Sequence, residues 1–277
     1  MIDPADAAQL ETLLRKHHIQ LKHGLGQNFL VDPEIRDRAA EAAGLTGSDE
    51  VLEVGAGVGT LTIALAPHCK RLVAVEFDKR FMRPLRSVVG EYANVQVVEA
   101  DILKYDVGAA FPAGGEIVAG NIPYNLTGGL IRKLLDAAPR PKRLSLVVQK
   151  EVAERWTAAT GASLSTVAVQ VFAVARLGFT IPAAAFTPEP RVDSALVTLE
   201  VRDRPAVDVA DMNSFFRLVE AVFQFRRKQL GNALGMMNGL GSTAAGLRLR
   251  GLGIAPERRA QTLSLLEWEA VYKAFAR

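Results

Sequence analysis

Residues 51 to 60 read VLEVGAGVGT, and this stretch decides the fold. Its apolar first half predicts a buried β-strand, and Gly55, Gly57 and Gly59 predict a tight turn before a helix that opens at Thr60. A strand that passes through glycines into a helix lets a ligand lie against main-chain N–H groups. The spacing is G-x-G-x-G and not the G-x-G-x-x-G that best indicates a dinucleotide, so the turn alone leaves the ligand open.

Other short β-rich runs recur on both sides of this turn. They are DEVLEVG (49–55), RLVAVE (71–76), VQVVEAD (95–101), GEIVAGN (115–121), RLSLVVQ (143–149), VQVFAVARLGF (169–179) and SALVTLEV (194–201). The segments LTIALAPHC and FMRPLRSVVGEY predict crossover helices, which indicates a parallel sheet for the early strands. The last two runs follow without an obvious long helix between them and predict an antiparallel addition. The fold class is therefore α/β, with a sheet of about seven strands and helices on both faces.

The pattern changes after the charged, proline-containing stretch VRDRPAVDVADMN. Beyond it, FFRLVEAVFQF, a glycine-rich region and LLEWEAVYKAFA predict helices. We therefore expect a boundary near residue 204, with an α/β domain over 1–204 and a small α-helical domain over 205–277. Residues 202–277 carry 12 Lys and Arg against 7 Asp and Glu, which suits a polyanionic partner such as nucleic acid.

Composition excludes several other classes of protein. A chain of 277 residues with 49% hydrophobic content can bury a sizeable core. The start, MIDPADAAQL, lacks a basic segment followed by an apolar run, and no segment approaches 18 apolar residues, so we expect no signal peptide, no membrane span and a cytoplasmic protein. A single cysteine, Cys69, and four histidines without zinc-site spacing predict neither a disulfide nor a metal. Nothing indicates an obligate protein partner, and we expect a monomer.

Acidic residues end the two strands that follow the glycine turn. Glu76 lies 21 residues after Gly55, where a carboxylate can bind a ribose diol. Asp101 ends the next strand, where it can accept a hydrogen bond from an adenine amino group. Together with the turn, these acids predict a nucleoside site. The alternative is that both carboxylates only cap the helices that follow.

The fourth strand runs into GNIPYNLT, residues 120 to 127. Pro123 fixes its own φ and holds Ile122 extended, so the Asn121 side chain and a backbone carbonyl can be aimed at one point, with the Tyr124 ring as a wall. Two acceptors and a stacked ring suit the exocyclic amine of an adenine. Both NAD and S-adenosylmethionine contain adenosine. Because the motif suits an amine substrate, it favours methyl transfer to an amine over the hydride transfer of NAD. The alternative is an ordinary turn with a half-buried Tyr.

Six segments together resemble the small-subunit (16S) rRNA adenine N6,N6-dimethyltransferase family. They are HGLGQNFLVDPE (23–34), VLEVGAGVGTLT (51–62), NIPYNLT (121–127), VQKEVAERW (148–156), FTPEPRVDSALV (186–197) and FQFRRKQL (223–230). The resemblance implies a class I methyltransferase with a Rossmann-like sheet that uses S-adenosylmethionine and no metal. It also implies the reaction, which places two methyl groups on N6 of each of two adjacent adenosines. These adenosines lie in a hairpin loop near the 3′ end of small-subunit rRNA, within a pre-30S-like particle during ribosome biogenesis.

The resemblance also implies roles for individual residues. Those at the cofactor would be Gln27, Asn28, Leu30, Gly55, Gly57, Glu76, Asp101, Ile102 and Asn121. At the target base, Asn121 and the Ile122 carbonyl would accept from the amine. Tyr124, set by Pro123, would stack on the base. Phe186 would close the other side of the base, unless it is simply a core residue before a proline-rich turn.

Basic residues beside two of these segments are candidates for RNA phosphate contacts. They are Lys22, His23, Arg226, Arg227 and Lys228. The last three follow an apolar helix, where cations also complement the helix dipole.

One stretch departs from the family pattern. After KEVAERW many members carry a Tyr-Gly-Arg-Leu-Ser-type segment, whereas this chain has Ala162 and Ser163 where Gly and Arg would fall. RNA contacts from this loop are therefore not carried over. Two alternatives stay open, a large-subunit rRNA adenine methyltransferase of the macrolide-resistance type and a non-catalytic RNA-binding assembly factor on the same scaffold. The QNFLVD segment and the long C-terminal helical region favour the small-subunit enzyme, and the intact site residues argue against the assembly factor.

Overall fold

The computed structural model describes residues 2–21, 28–123, 126–136 and 139–275. The chain divides into two compact units. The first comprises Met1–Glu154 and Val174–Val201, and the second comprises Arg155–Ala173 and Arg202–Arg277. The assignment of a cofactor-binding domain and an RNA-binding domain either side of residue 204 stays a prediction.

Helices and strands alternate through most of the described residues. The helices are α1 (Ala7–Lys16), α2 (Pro33–Ala42), α3 (Thr62–Leu65), α4 (Met82–Val89), α5 (Val107–Ala110), α6 (Thr127–Asp136), α7 (Lys150–Thr157), α8 (Leu164–Phe172), α9 (Met212–Phe223), α10 (Leu230–Asn238), α11 (Gly241–Gly251) and α12 (Leu265–Phe275). The strands are β1 (Phe29–Leu30), β2 (Glu50–Val54), β3 (Arg71–Glu76), β4 (Val95–Glu99), β5 (Ile117–Asn121), β6 (Arg143–Gln149), β7 (Ala173–Ile181), β8 (Phe186–Thr187) and β9 (Ser194–Val201). None of the helices in the described ranges is long and apolar enough to cross a membrane.

Seven of these strands form one sheet with the order β4-β3-β2-β5-β6-β9-β7. The pairs from β4 through to β6 are parallel, and β9 joins β6 in the antiparallel sense. The predicted α/β class and its sheet of about seven strands are therefore confirmed. The strand order also explains why β7 and β9 follow one another without a long helix, since β9 inserts between β6 and β7.

The central strands are buried because their sequences are apolar on both faces. Val51, Leu52, Leu72 and Val73 are fully buried, and they lie opposite one another in the β2–β3 register. Near-continuous apolar runs are what a covered parallel sheet requires. The chain leaves β2 to form β3 on one side and later β5 on the other. In open α/β sheets such a switch point is where ligands bind, at the carboxyl ends of the strands.

Two predicted elements differ from the structure. The segment LTIALAPHC forms only a short α3, followed by a 3-10 turn over Ala66–His68, because Pro67 lacks the N–H that an α-helix would need there. The strand predicted over 169–179 is wrong in its first part, since residues 169–172 complete α8 and β7 begins at Ala173. A short apolar run rich in Val cannot be distinguished from a buried helical segment by its periodicity.

A separate two-stranded sheet holds the N-terminal segment beside the FTPEP segment. Phe29 pairs with Thr187 and Leu30 pairs with Phe186, in the antiparallel sense. The N–H of Val31 continues the contact by donating to the Ala185 carbonyl at 2.8 Å. These bonds fix the position of the QNFL segment from Asn28 onwards.

The second unit is built on aromatic contacts between its helices. Phe172 of α8 stacks on Phe216 of α9 with ring centroids 5.8 Å apart. Phe215 meets Tyr272 of α12 edge to face at 5.7 Å. Such pairs stabilise helix packing beyond the area that they bury. Because α8 packs with α9 and α12, residues 155–173 group with the C-terminal helices and not with their sequence neighbours.

The loop that departs from the family pattern has a structural role in this chain. Ser163 caps α8, since its Oγ accepts from the Thr166 N–H at 3.2 Å. The Trp156 indole donates to Ser165 Oγ at 3.2 Å, and the Gly161 N–H donates to the Leu263 carbonyl at 2.7 Å. Ser163, which occupies the position of Arg in the family pattern, is therefore the N-cap of α8 in this chain.

Candidate active site

A cavity of about 370 Å³ lies at the switch point of the sheet, within the first unit. Its lining includes the ends of β2, β3, β4 and β5 and the segment around β1. The predicted site residues that border it are Asn28, Leu30, Gly55, Gly57, Glu76, Asp101, Ile102, Asn121 and Pro123. The structure therefore brings together residues that the sequence separates by more than 90 positions.

The glycine turn requires the backbone freedom of glycine. Gly55 and Gly57 have φ of +73° and +57°, in the left-handed region that other residues rarely adopt. A Cβ on Gly57 would lie 3.0 Å from the Phe29 ring, and one on Gly55 would lie 3.6 Å from the Asn121 carbonyl oxygen. The turn is thus packed closely between the N-terminal segment and the end of β5.

Glu76 holds the glycine turn in place. Its two carboxylate oxygens accept the N–H groups of Gly57 and Asp78, each at 2.7 Å. Burial raises the pKa of this carboxyl, and the two N–H bonds partly offset that effect by favouring the charged form. The carboxylate borders the cavity from a fixed position, as binding of a ribose diol would require.

Glu53 is a site residue that the sequence reasoning missed. It lies within the apolar strand β2, is 1% exposed and lines the cavity. Burial, with a smaller contribution from the charge of Glu76, raises the pKa of its carboxyl to about 7. Among the described residues, Glu53 Oε2 and Thr60 Oγ1 have no hydrogen-bond partner. The signal available in the sequence was an acid inside an otherwise apolar strand.

The lining of this cavity fits the cofactor that the sequence predicts. S-adenosylmethionine carries a sulfonium and an ammonium group, and a buried carboxylate with an open acceptor can balance a positive charge that has lost its water. Glu53, Glu76 and Asp101 all line the cavity, so Glu53 could provide such a carboxylate, and Glu76 and Asp101 could provide acceptors for a nucleoside.

The end of the cavity at Asp101 combines an acceptor with apolar walls. Asp101 Oδ1 accepts the Leu103 N–H at 3.0 Å, and the Ile102 side chain is buried. Phe77, which the sequence reasoning also missed, borders the same cavity with 73% of its surface exposed. An exposed ring beside a hydrogen-bonding turn can stack on a planar base. Its position directly after Glu76 was the available signal.

The NIPY segment is anchored through its backbone and through Asn121. The Asn121 Nδ2 donates to the Asn28 carbonyl at 2.9 Å, so Oδ1 is the atom that can accept from a ligand amine. The Ile122 N–H donates to the Val147 carbonyl at 3.0 Å and its side chain is buried. Ile122 can therefore offer a ligand only its own carbonyl.

The remaining predicted site residues either occupy other positions or fall outside the described residues. Phe186 is 3% exposed and packs in a core cluster with Leu30 and Val147, so contact with a base would require its ring to leave this position. Arg226, Arg227 and Lys228 are exposed in the second unit, in the turn region that follows α9. Lys22, His23, Gln27 and Tyr124 lie outside the described residues.

Comparison with known proteins identifies the family of this chain. A family model described as ribosomal RNA adenine dimethylase matches residues 18–277. A protein of Shouchella clausii named ribosomal RNA small subunit methyltransferase A is 37% identical, over 96% of this chain and 93% of its own length. A protein of the same name from Pelotomaculum thermopropionicum is 39% identical, over 99% and 98%.

Solved structures with the same fold include two methyl-transferring enzymes. The dimethyladenosine transferase of Plasmodium falciparum superposes with a TM-score of 0.71 and 27% identity, over 88% of this chain and 96% of that chain. The 23S rRNA methyltransferase ErmE superposes with a TM-score of 0.68 and 26% identity, over 90% and 100%. The resemblance to this group of methyltransferases, drawn from the sequence motifs, is confirmed.

Proposed function

The chain belongs to the ribosomal RNA adenine dimethylase family, and we propose that it methylates N6 of two adjacent adenosines near the 3′ end of small-subunit rRNA, with S-adenosylmethionine as the donor. One observation carries this proposal. A single cavity joins the glycine turn, the acids Glu76 and Asp101, and the amine-directed residue Asn121. S-adenosylmethionine supplies an electrophilic methyl group on sulfur, and the chain needs only to hold the two reactants in line.

Different residues around the cavity would bind different parts of the cofactor. Glu76, already fixed by two N–H groups, would accept from the ribose hydroxyls. Asp101 and Ile102 would hold the adenine by one hydrogen bond and apolar contact. Glu53 would balance the positive charge of the methionine portion, which explains a buried carboxylate with an open acceptor. Gly55 lets that portion approach the end of β5.

The target amine would be held by two acceptors. Asn121 Oδ1 and the Ile122 carbonyl accept its two N–H groups, which draws the nitrogen toward tetrahedral geometry and directs its lone pair at the methyl group. As the nitrogen–carbon bond forms, the sulfur–carbon bond of the donor would break and S-adenosylhomocysteine would leave as a neutral thioether. The N–H proton becomes acidic only at this stage and would pass to water, so no basic side chain is needed. We propose that Tyr124 stacks on the extruded base. A hairpin loop suits this arrangement, since its bases are already partly unstacked.

The choice of small-subunit RNA rests on the relatives. Proteins named as small-subunit methyltransferases reach 37 to 39% identity over nearly the whole chain, whereas the 23S enzyme ErmE reaches 26%. We further propose a monomeric, cytoplasmic protein that acts on an immature small subunit, with phosphate contacts from Lys22, His23 and residues 226–228. A large-subunit target is the second candidate, because ErmE shares the fold over 90% of this chain.

The test is incorporation of a labelled methyl group from S-adenosylmethionine into purified immature small subunits and, in parallel, into large subunits. We expect label in small-subunit RNA only. Asn121→Ala is the control, and it should remove incorporation. Label confined to large-subunit RNA would establish the second candidate, and binding to small subunits without any label would indicate an assembly factor.

A further inference from the structure

A compact turn follows β4 and carries the residues at the adenine end of the cavity. The Asp101 side chain accepts the Leu103 N–H at 3.0 Å, and its carbonyl accepts the N–H groups of Lys104 and Tyr105, each at 2.8 Å. These bonds leave the carbonyls of Leu103 and Tyr105 to find partners outside the turn.

The partner of both carbonyls is a lysine on α6. Lys133 Nζ donates to the Leu103 carbonyl at 3.0 Å and to the Tyr105 carbonyl at 2.7 Å. Gly129 lies one helical turn earlier on the same face of α6. A Cβ at Gly129 would lie 3.6 Å from Leu103 Cδ2, so the Leu103 side chain rests on the helix at this glycine. The turn is therefore held to α6 by two charge-assisted hydrogen bonds and an apolar contact.

The residue that precedes α6 is hydrogen-bonded to the segment proposed to bind the target amine. The Leu126 N–H donates to the Pro123 carbonyl at 2.9 Å, and the Leu130 N–H donates to the Leu126 carbonyl at 2.9 Å. Pro123, Leu126 and Leu103 all line the cavity. Hydrogen bonds thus link Leu126 to Pro123 of the target-base motif and Lys133 of α6 to the turn that carries Asp101.

We propose that Lys133 is a positioning residue that sets the distance between the adenine end of the cofactor site and the target-base motif. This inference rests on the proposed function, since it assigns the turn to the adenine of the cofactor. An ammonium group can satisfy two carbonyls at once, and hydrogen bonds to charged groups contribute more than neutral ones. Without the Lys133 ammonium group, the turn that carries Asp101 would have to become ordered when the adenosine binds. The affinity for any adenosine ligand would therefore fall.

The experiment is calorimetric titration of the full chain with S-adenosylmethionine and with 5′-methylthioadenosine, which lacks the amino-acid portion. For Lys133→Met we expect Kd for both ligands to rise by the same factor, on the order of 10-fold. Lys133→Arg should restore most of the affinity, because a guanidinium can reach both carbonyls. Hydrogen exchange of the amides of residues 101–105 should be faster in Lys133→Met without ligand.

The control removes the neighbouring positive charge on the same helix. Arg132→Met should bind both ligands as the wild type does, because Arg132 forms an ion pair with Asp136 on the same helix. Wild-type affinity in Lys133→Met, or equal weakening in Arg132→Met, would overturn the inference. If Lys133→Met does not fold, Lys133→Gln takes its place, and wild-type Kd values there would equally overturn it. Failure of the wild type to bind S-adenosylmethionine would instead reject the proposed function.

Discussion

Replacing Glu53 by Gln should stabilise the ligand-free protein at neutral and alkaline pH. Folding raises the pKa of this carboxyl from 4.5 to about 7, chiefly because burial removes water from the charged form. Between these two pH values the folded chain holds a proton that the unfolded chain has lost, so the free energy of unfolding falls as pH rises. Above pH 7 this penalty, the loss in the free energy of unfolding, is complete. At about 1.4 kcal/mol for each pH unit, it amounts to roughly 3 kcal/mol.

The measurement is urea unfolding of wild type and Glu53→Gln from pH 4.5 to pH 8. Circular dichroism is the appropriate signal, because both tryptophans lie in the second unit and Glu53 lies in the first. The two proteins should have similar stability near pH 4.5, and the variant should be more stable at pH 8. Equal stability at pH 8, or a less stable variant, would refute the reasoning from burial.

The same substitution also distinguishes the destabilising effect of Glu53 on the folded protein from its contribution to cofactor binding. A cationic ligand beside Glu53 favours the charged carboxylate, so wild-type affinity for S-adenosylmethionine should increase as pH rises towards 7 and then level off. Glu53→Gln should bind more weakly and lack this dependence. If both proteins show the same pH profile of Kd, Glu53 does not balance the charge of the cofactor.

Further substitutions test the remaining roles. Asn121→Ala should abolish methyl transfer while calorimetry still detects cofactor binding, and near-normal turnover would remove its amine-orienting role. Tyr124→Ala should lower kcat more than Tyr124→Phe, because stacking needs the ring and not the hydroxyl, and equal losses would count against stacking. Gly120→Ala should lower the free energy of unfolding by about 1 to 3 kcal/mol, since its Cβ would clash with the Val54 carbonyl oxygen. Gly128→Ala should raise the free energy of unfolding by about 0.5 to 1 kcal/mol, because a Cβ at this position of α6 meets open space and alanine favours the helix. Thermal or urea unfolding of the two alanine variants decides between these signs.

The parts of the fold that follow from local pattern were predictable from the sequence. The buried strands and the glycine turn are each encoded within about ten residues, and parallel strands bring their carboxyl ends to one edge of the sheet. The sequence therefore predicts that Glu76, Asp101 and Asn121 meet at this edge. The start of β7 was not predictable in this way, because residues 169–172 have a composition that suits a strand and a buried helix equally well.

Side-chain roles that depend on distant partners could not be obtained from the sequence. Lys133 reads as a polar residue on a helix until its contacts with the carbonyls of Leu103 and Tyr105 are seen, about 30 residues away. In the sequence, Glu53 is only an acidic residue within an apolar strand, and the adjoining cavity is what indicates a role for it. The direction of the Phe186 side chain depends on pairing with Leu30, which no local pattern encodes.

The proposed methylation of small-subunit rRNA can be tested by mapping the modified nucleotides after the purified protein has acted on immature small subunits with S-adenosylmethionine. Nuclease digestion with mass spectrometry identifies the methylated base, and primer extension locates it. We expect N6,N6-dimethyladenosine at two adjacent positions in the 3′-terminal hairpin loop of small-subunit rRNA. Unmodified small-subunit RNA, from a protein that binds both cofactor and particle, would contradict it.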